Sequence, residues 1–472
     1  MMQTHISWIF LTGDYAYKLK KPLDLGFLNF STLTRRKFYC EQELSLNRRL
    51  SADIYLDVLP LCRQGDHFIL GGSENIVDYC LKMRQFDQSG LLDQRLSSNQ
   101  FDPAWMDQLA ENIARFHAEQ QGTIEFGQPC MLADHIRANL DVAENHMGHA
   151  LDENTMSELA AYATDAIQRG HDALLRRQTE GFIRPCHGDL HLKNITLIEN
   201  RPCIFDCIEF SDEFRIIDTM NDAAFLVMDC DANGRPDLGF RFLSRYLEYT
   251  GDYSGLGLLN LYLFYRATVR GKVSTLLAAE LTAENGRNQQ FAEARKYFAL
   301  AITYTGTKQA ELFVIGGLSG SGKSHLSLLG CGKERAIIIR TDATRKRIAL
   351  DHPDLELYGN EMHKLTYAAM FKDAQTALQS GFSVILDATF LHPDSRRQAF
   401  ELANACHALL HFYWLDIAEP VLRERITKRL HAANNISDAD LHVLDLQLAG
   451  YRRPDEPWIR FLDSNEAWPV LI

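Results

Sequence analysis

The sequence predicts two domains of different class: an α+β domain in two lobes, then an α/β domain with a parallel sheet. Three observations predict this. Residues 6–86 read as strands around one helix. Residues from Trp105 to about Tyr304 read as mostly helical. Beyond Tyr304, strand and helix patterns alternate, as in a parallel sheet with crossover helices. The expected boundaries are 1–303 for the first domain (small lobe 1–86, helical lobe 87–303), a linker at 304–310, and 311–472 for the second.

The elements follow in order. Residues 6–21 alternate around Thr12-Gly13-Asp14 and read as a hairpin of Ile6–Leu11 and Tyr15–Lys21. Residues 31–50 carry Leu44, Leu46 and Leu50 among charges and read as a helix. Ile54–Leu61 and Val77–Met83 read as strands. From Trp105, Leu109, Ile113, Ala114 and Phe116 recur at helical spacing. The helical lobe is interrupted by Ile195–Ile198 and Cys203–Phe205, two apolar runs flanking the turn Asn200-Arg201-Pro202. In the second domain the expected strands are Phe313–Ile315, Ala336–Ile339, Ser383–Leu386 and His411–Leu415, with helices between.

Composition narrows the class of function. Apolar content of 46% and charged content of 24% are ordinary for soluble globular proteins. Of the net charge of −13, residues 311–472 hold −3 and the remainder −10. Neither region has the basic excess of a general nucleic-acid binder, so a nucleic-acid partner is not expected. The ten cysteines form no C-x-x-C pair, which points to a reducing cytoplasm, and Cys203 and Cys207 read as core thiols. No signal-peptide pattern opens the chain, and no apolar run is long enough for a membrane span. Nothing in the sequence fixes an oligomeric state.

One constellation stands in His187-Gly188-Asp189-Leu190-His191-Leu192-Lys193-Asn194, followed by Asp206 at the end of an apolar strand. Phosphoryl transfer needs a carboxylate to receive or orient the attacking hydroxyl, and oxygen ligands to hold Mg²⁺ on the phosphates. Asp189 suits the first role; Asn194 and Asp206 suit the second. The pattern H-G-D-x-H-x-x-N, then strand and Asp, resembles the aminoglycoside phosphotransferase-like kinases, relatives of the protein kinases, over most of residues 1–300. The resemblance implies a two-lobed protein-kinase-like fold, ATP as phosphate donor, Asp189 as catalytic base, and Asn194 and Asp206 as metal ligands. Ile113–His117 resembles that family's core helix, and Ile217-Asp218-Thr219-x-x-Asp222 its structural motif after the metal aspartate.

The resemblance also implies a small-lobe lysine on the nucleotide phosphates, paired with a helix glutamate. Lys18 is the candidate, with Lys20 on the same strand face in reserve. Glu43 is its candidate partner and Glu41 the alternative. The adenine would lie near Gln85 and Phe86. The family's first strand and phosphate-covering loop have no counterpart before the hairpin at residue 6: either the start is truncated or the lobe is abbreviated, and activity of this half is in question. The family name does not fix a substrate.

A second constellation opens the last third. Gly317-Leu318-Ser319-Gly320-Ser321-Gly322-Lys323-Ser324 matches G-x-x-x-x-G-K-[ST] between an apolar strand and a helix. Gly317, Gly320 and Gly322 let backbone N–H groups wrap a polyphosphate, Lys323 reaches the β/γ-phosphates, and Ser324 holds Mg²⁺. Asp342, in Arg340-Thr341-Asp342-Ala343-Thr344-Arg345, follows a strand end where α/β sheets bind ligands. It suits proton acceptance from a substrate hydroxyl, with Arg345 on substrate phosphate; it also suits capping of the next helix. Asp387 ends the strand Ser383–Leu386 and suits a Mg²⁺-organising carboxylate. Arg423, Arg425 and Arg429 read either as a lid closing on transferring phosphate or as a solvated basic helix. Arg396 and Arg397 face substrate or solvent. Tyr413 and Trp414 read as core.

Residues 311–472 resemble the small P-loop kinases grouped with polynucleotide kinase and zeta-toxin-like proteins. That implies an α/β P-loop NTPase fold with a parallel sheet, and transfer of the ATP γ-phosphate to a hydroxyl. The expectation is an ATP- and Mg²⁺-dependent phosphotransferase with two kinase-like domains acting on small molecules. The rivals are a nucleotide-gated binding protein with an impaired first domain, and a nucleic-acid 5′-hydroxyl kinase.

Overall fold

In the computed structural model the first sheet is built from β1 (Met2–Gln3), β2 (Ser7–Leu11) and β3 (Tyr15–Lys20), then, after helix α1 (Leu33–Ser51), from β4 (Tyr55–Gln64), β5 (His67–Leu70) and β6 (Ile76–Arg84). The residues described are 1–472 other than 4, 5, 25, 27, 147, 307, 431–439, 465, 466 and 470–472; the side chains of 3, 429 and 430 also lie outside the description. The sheet is antiparallel throughout, in the order β1-β2-β3-β6-β4-β5. Strand β5, exposed along its whole length, has no counterpart in the sequence reading. On β3, period-2 alternation buries Ala16, Lys18 and Lys20 on one face.

Helix α1 packs on this sheet by an unusual stripe. Its buried residues are Arg36, Cys40, Glu43, Asn47 and Ser51, at helical spacing but mostly polar. Each polar one has a partner. Arg36 Nε donates to Asp78 Oδ1 at 2.8 Å, and Asn47 Oδ1 accepts from the Cys207 N–H at 2.8 Å. Leu44, Leu46 and Leu50, which mark this helix in the sequence, are only half-buried.

The helical region runs α2 (Leu92–Ser97), α3 (Ala104–Glu119), α4 (Pro129–Glu144), α5 (Glu153–Thr179), β7 (Ile183–Pro185), β8 (Ile195–Ile198), β9 (Arg201–Ile204), α6 (Asp212–Arg215), β10 (Ile216–Asp218) and α7 (Thr219–Ala232). The hairpin β8–β9 turns through Glu199 and Asn200, both at positive φ. Next come α8 (Pro236–Thr250), α9 (Leu256–Glu280) and α10 (Glu284–Thr303).

The last third alternates as expected: β11 (Glu311–Gly317), α11 (Lys323–Glu334), β12 (Ile337–Arg340), α12 (Thr341–Ala349), α13 (Asn360–Gln379), β13 (Val384–Asp387), α14 (Pro393–Ala405), β14 (Leu409–Leu415), α15 (Glu419–Leu430), α16 (Leu441–Ala449) and β15 (Ile459–Leu462). All pairings in this sheet are parallel, in the order β12-β13-β11-β14-β15. Its central strands are continuous apolar runs, as a sheet covered on both faces requires. Tyr413 and Trp414 are core. All ten cysteines are free thiols. Among the described residues no helix is long and apolar enough to cross a membrane.

The chain divides into two compact units: Met1–Ala138 with Thr164–Asp229, and Asn139–Ala163 with Cys230–Ile472. This division differs from the sequence-read boundary at 304–310. Helices α8, α9 and α10 group with the parallel sheet.

Candidate functional site

In the first unit, Lys18 and Glu43 meet. Lys18 Nζ lies 2.7 Å from Glu43 Oε1 and 2.6 Å from Asp206 Oδ1. Lys20 is no bystander: its Nζ lies 2.7 Å from Glu43 Oε2 and also pairs with Glu209. The result is one alternating chain of charge, Asp206–Lys18–Glu43–Lys20–Glu209. At Lys18, Lys20 and Glu43 burial works against the charge and the opposite neighbours outweigh it, whereas at Glu209 burial prevails and raises the carboxyl pKa. Burial alone would raise the Glu43 carboxyl, but Lys18 and Lys20 hold it down to about 2. Lys18 and Lys20 are raised against burial, by Asp206 and Glu43 and by Glu209 and Glu43 respectively. Glu41 instead faces Lys37 at 3.7 Å on the exposed side of α1.

The His187–Asn194 loop is fixed from beneath. Asp222 Oδ2 accepts from the His187 N–H at 3.0 Å and Oδ1 from the Gly188 N–H at 2.8 Å. Asp229 Oδ2 accepts from the Leu192 N–H at 2.9 Å. Burial lowers the His187 pKa. Its Nδ1 accepts from the Asp189 N–H at 3.2 Å, so a neutral ring donates through Nε2 to Phe205 O at 2.9 Å. His117, Cys186 and Asp222 cluster with ligand atoms within 4.8 Å, but Asp222 is taken up by these loop amides and by His117 Nε2 at 3.1 Å.

Asp189 and Asn194 are in contact. Asn194 Nδ2 donates to Asp189 Oδ2 at 2.9 Å and to Asp189 O at 3.0 Å, which leaves its Oδ1 as the atom able to bind a cation. Asp206 sits at φ 63°, a left-handed conformation costing roughly 1 kcal/mol, and its N–H donates to Tyr55 Oη at 3.0 Å. Its carboxylate stays partly exposed next to Lys18. Gln85 Oε1 accepts from the Gly13 N–H at 3.2 Å, and Phe86 packs on Phe205 with ring centroids 5.0 Å apart.

In the second unit, β11 ends in the loop 317–324. Gly317, Gly320 and Gly322 have φ of 141°, 83° and 95°. A Cβ would stand 2.9 Å from Leu415 O at Gly317 and 2.9 Å from Leu422 O at Gly320, so the turn needs glycine on both counts. Lys323 opens α11, and its Nζ donates to the loop carbonyls of Gly317 at 3.1 Å and Leu318 at 3.0 Å.

Parallel register pairs Ile315 with Asp387, which brings the end of β13 beside the loop. Asp387 is buried and its Oδ2 has no hydrogen-bond partner. Burial raises its pKa, opposed by Lys323 and Ser324. An orphaned carboxylate oxygen beside a loop serine fits a hydrated Mg²⁺. Asp342 lies in the first turn of α12, whose N-cap is Arg340, so it is not the capping residue. Arg345 Nη1 donates to Asp342 Oδ1 at 3.0 Å, and its guanidinium stacks over Tyr358 at 5.1 Å.

The arginine segment divides. Arg425 Nη1 donates to Ser321 O at 3.0 Å, against the loop. Arg423 is held by Glu419 at 2.8 Å and Asp445 at 2.6 Å on the surface, and the side chain of Arg429 lies outside the described residues. Arg396 is buried against Glu456 and the Phe390 and Leu391 carbonyls, while Arg397 pairs with Asp394 in solvent. One loop contact has no signal in the sequence: Gln447 on α16 bonds Ser319 through both ends of its amide. Burial of Leu318, Leu422, Ile426 and Leu444 in one cluster brings α15 and α16 to the loop.

Two protein families match segments of the chain. The Phosphotransferase enzyme family matches residues 87–259, and the family described as AAA domain matches residues 312–454. Uncharacterized proteins of Mycobacterium tuberculosis and Mycobacterium bovis are 30% identical over 453 residues, covering 93% of this chain and 88% of theirs. Among solved structures, the GDP complex of aminoglycoside 2′-phosphotransferase-IIIa is 16% identical with a TM-score of 0.37, covering 63% of this chain and 91% of that one. The Mycobacterium tuberculosis APS kinase CysC is 20% identical with a TM-score of 0.25, covering 33% and 90%. Both scores are low, and neither protein's ligands are carried over. The near-full-length match places the chain in the family of these mycobacterial proteins, and within this chain an aminoglycoside-phosphotransferase-like segment precedes a P-loop kinase-type domain.

Proposed function

We propose that the chain is an ATP- and Mg²⁺-dependent phosphotransferase whose second unit transfers the γ-phosphate to a hydroxyl of a small molecule. The observation that carries this reading is the phosphate loop with its surroundings: three left-handed glycines, Lys323 held on loop carbonyls, and the orphaned oxygen of Asp387 beside it.

The loop amides and the α11 N-terminus would take the β-phosphate. Lys323 would exchange two carbonyls for phosphate oxygens, a stronger charge-assisted pairing. Ser324 and Asp387 would hold Mg²⁺, which when bound neutralises charge on the phosphates. Asp342, aimed by Arg345, would accept the proton of the acceptor hydroxyl. Arg425 would add positive charge at the loop. In the first unit the corresponding roles fall to Asp189 as base, Asn194 and Asp206 as cation ligands, and Lys18, set by Glu43, on the nucleotide phosphates.

The test is a mass-spectrometric screen for phosphorylated metabolites with wild type, Asp189→Ala and Lys323→Ala in parallel. Products lost only in Lys323→Ala belong to the second unit, and products lost only in Asp189→Ala to the first. Full nucleotide binding and transfer by Lys323→Ala would refute the assignment of the loop.

A further inference from the structure

Strand β12 is an edge. Among the described residues it pairs with β13 alone, so its outward N–H and C=O groups need partners elsewhere. The Ile337 N–H turns inward, to Ser383 O at 2.8 Å. The next one turns outward, and a side chain meets it: Ile338 N–H donates to Ser244 Oγ at 3.0 Å. One helical turn on, Glu248 takes the Arg340 guanidinium in a bidentate pair, Nε to Oε1 at 2.6 Å and Nη2 to Oε2. Ser244 and Glu248, at i and i+4, share one face of α8. Before the strand, Arg335 makes a second bidentate pair with Asp231, at 2.9 Å and 2.5 Å. A polar contact thus falls before, within and at the end of β12, and every partner comes from residues 231–248.

Both Ser244 and Glu248 are buried. A buried bidentate carboxylate–guanidinium pair fixes direction as well as distance. Arg340 is followed directly by Thr341 and Asp342. The placement of the Asp342 carboxylate therefore depends on where Glu248 holds the strand end.

We propose that α8 is a working part of the P-loop half, with Ser244 and Glu248 as positioning residues that set β12 and, through Arg340, the carboxylate of Asp342. The smallest complete P-loop unit then begins near residue 230, not at the linker 304–310. The kinetic part rests on the reading of Asp342 as the group facing the acceptor hydroxyl; the clamp itself does not.

The full chain carrying Ser244→Ala and Glu248→Gln provides the test, with two readouts. Amide hydrogen exchange of the peptide spanning 337–342 is expected to speed up about tenfold or more, with peptides of β11 and β14 unchanged. Unchanged exchange at 337–342 overturns the clamp. In ATP turnover by the full chain, the double variant is expected to lose about tenfold in kcat while the KM for ATP moves less than about twofold. Equal loss in both, or in neither, overturns the positioning role. A wild type that turns over no ATP removes the functional reading while exchange still decides the clamp. If the double variant fails to fold, Ser244→Ala alone, which deletes one hydroxyl, is read by exchange under the same criterion.

Discussion

Gln447 grips Ser319 at both ends of its amide: Oε1 accepts from the Ser319 N–H at 2.9 Å, and Nε2 donates to Ser319 Oγ at 3.0 Å. Ser319 is the third residue of the phosphate loop, so a residue of α16 holds one loop amide that a phosphate would otherwise attract. Two hydrogen bonds of about 1 kcal/mol each keep the loop in register. Gln447→Glu keeps an acceptor for the N–H and the same packing, but sets a negative charge on the loop. ATP affinity measured by calorimetry is expected to fall about tenfold for Gln447→Glu, and less for Gln447→Ala. Equal losses in the two variants would show that the contact only shapes the loop and that its charge is irrelevant.

Acid should loosen the first unit through Glu43. Its folded carboxyl is held down to about 2 against an ordinary value of 4.5. The groups facing it are Lys18 and Lys20, with Asp206 and Glu209 beyond them. A depressed carboxyl pKa contributes stability that is complete above about 4.5 and is lost as pH falls toward 2, on the order of 3 kcal/mol if the whole shift acts. Thermal unfolding of wild type should therefore weaken steeply over that window. Glu43→Gln should be much less stable at pH 7, because two lysines lose their bridging charge, and should show a flatter profile below pH 4.5. A Glu43→Gln profile parallel to wild type would remove Glu43 as the cause.

The two sites differ in how far sequence reveals them. The phosphate loop is fully local: three glycines, a lysine and a serine within eight positions at the end of an apolar strand, so pattern and geometry coincide. The Asp189–Asn194 contact is local as well, five residues apart. The role of Lys20 was harder to see. Period 2 places it on the face of Lys18, but only the bidentate Glu43 and the remote Glu209 show that both lysines are used. The buried stripe of α1 is polar, which a search for apolar periodicity passes over. Gln447 and Glu248 act on residues 128 and 92 positions away, and neither lies in a motif. The contact of helix α8 with β12 is hidden for the same reason: chain order says nothing of which sheet edge a helix covers. Arg423, taken with Arg425 from their shared segment, faces Glu419 and Asp445, since residues two apart leave a helix on different sides.

Asp387 offers a separation of stability from function. Its carboxylate is buried, its Oδ2 has no hydrogen-bond partner, and burial raises its pKa. An ionised group so placed costs folding energy unless a cation completes it. Asp387→Asn removes the charge at nearly constant shape. The melting temperature without nucleotide is expected to stay equal or rise at pH 7. The further rise produced by ATP with Mg²⁺ is expected to shrink by several degrees, while that produced by ATP with a chelator is unchanged or larger, since a carboxylate facing the phosphates has gone. A variant that melts lower alone yet keeps the full Mg²⁺-dependent shift would mean that Asp387 serves the fold and that the cation is held elsewhere.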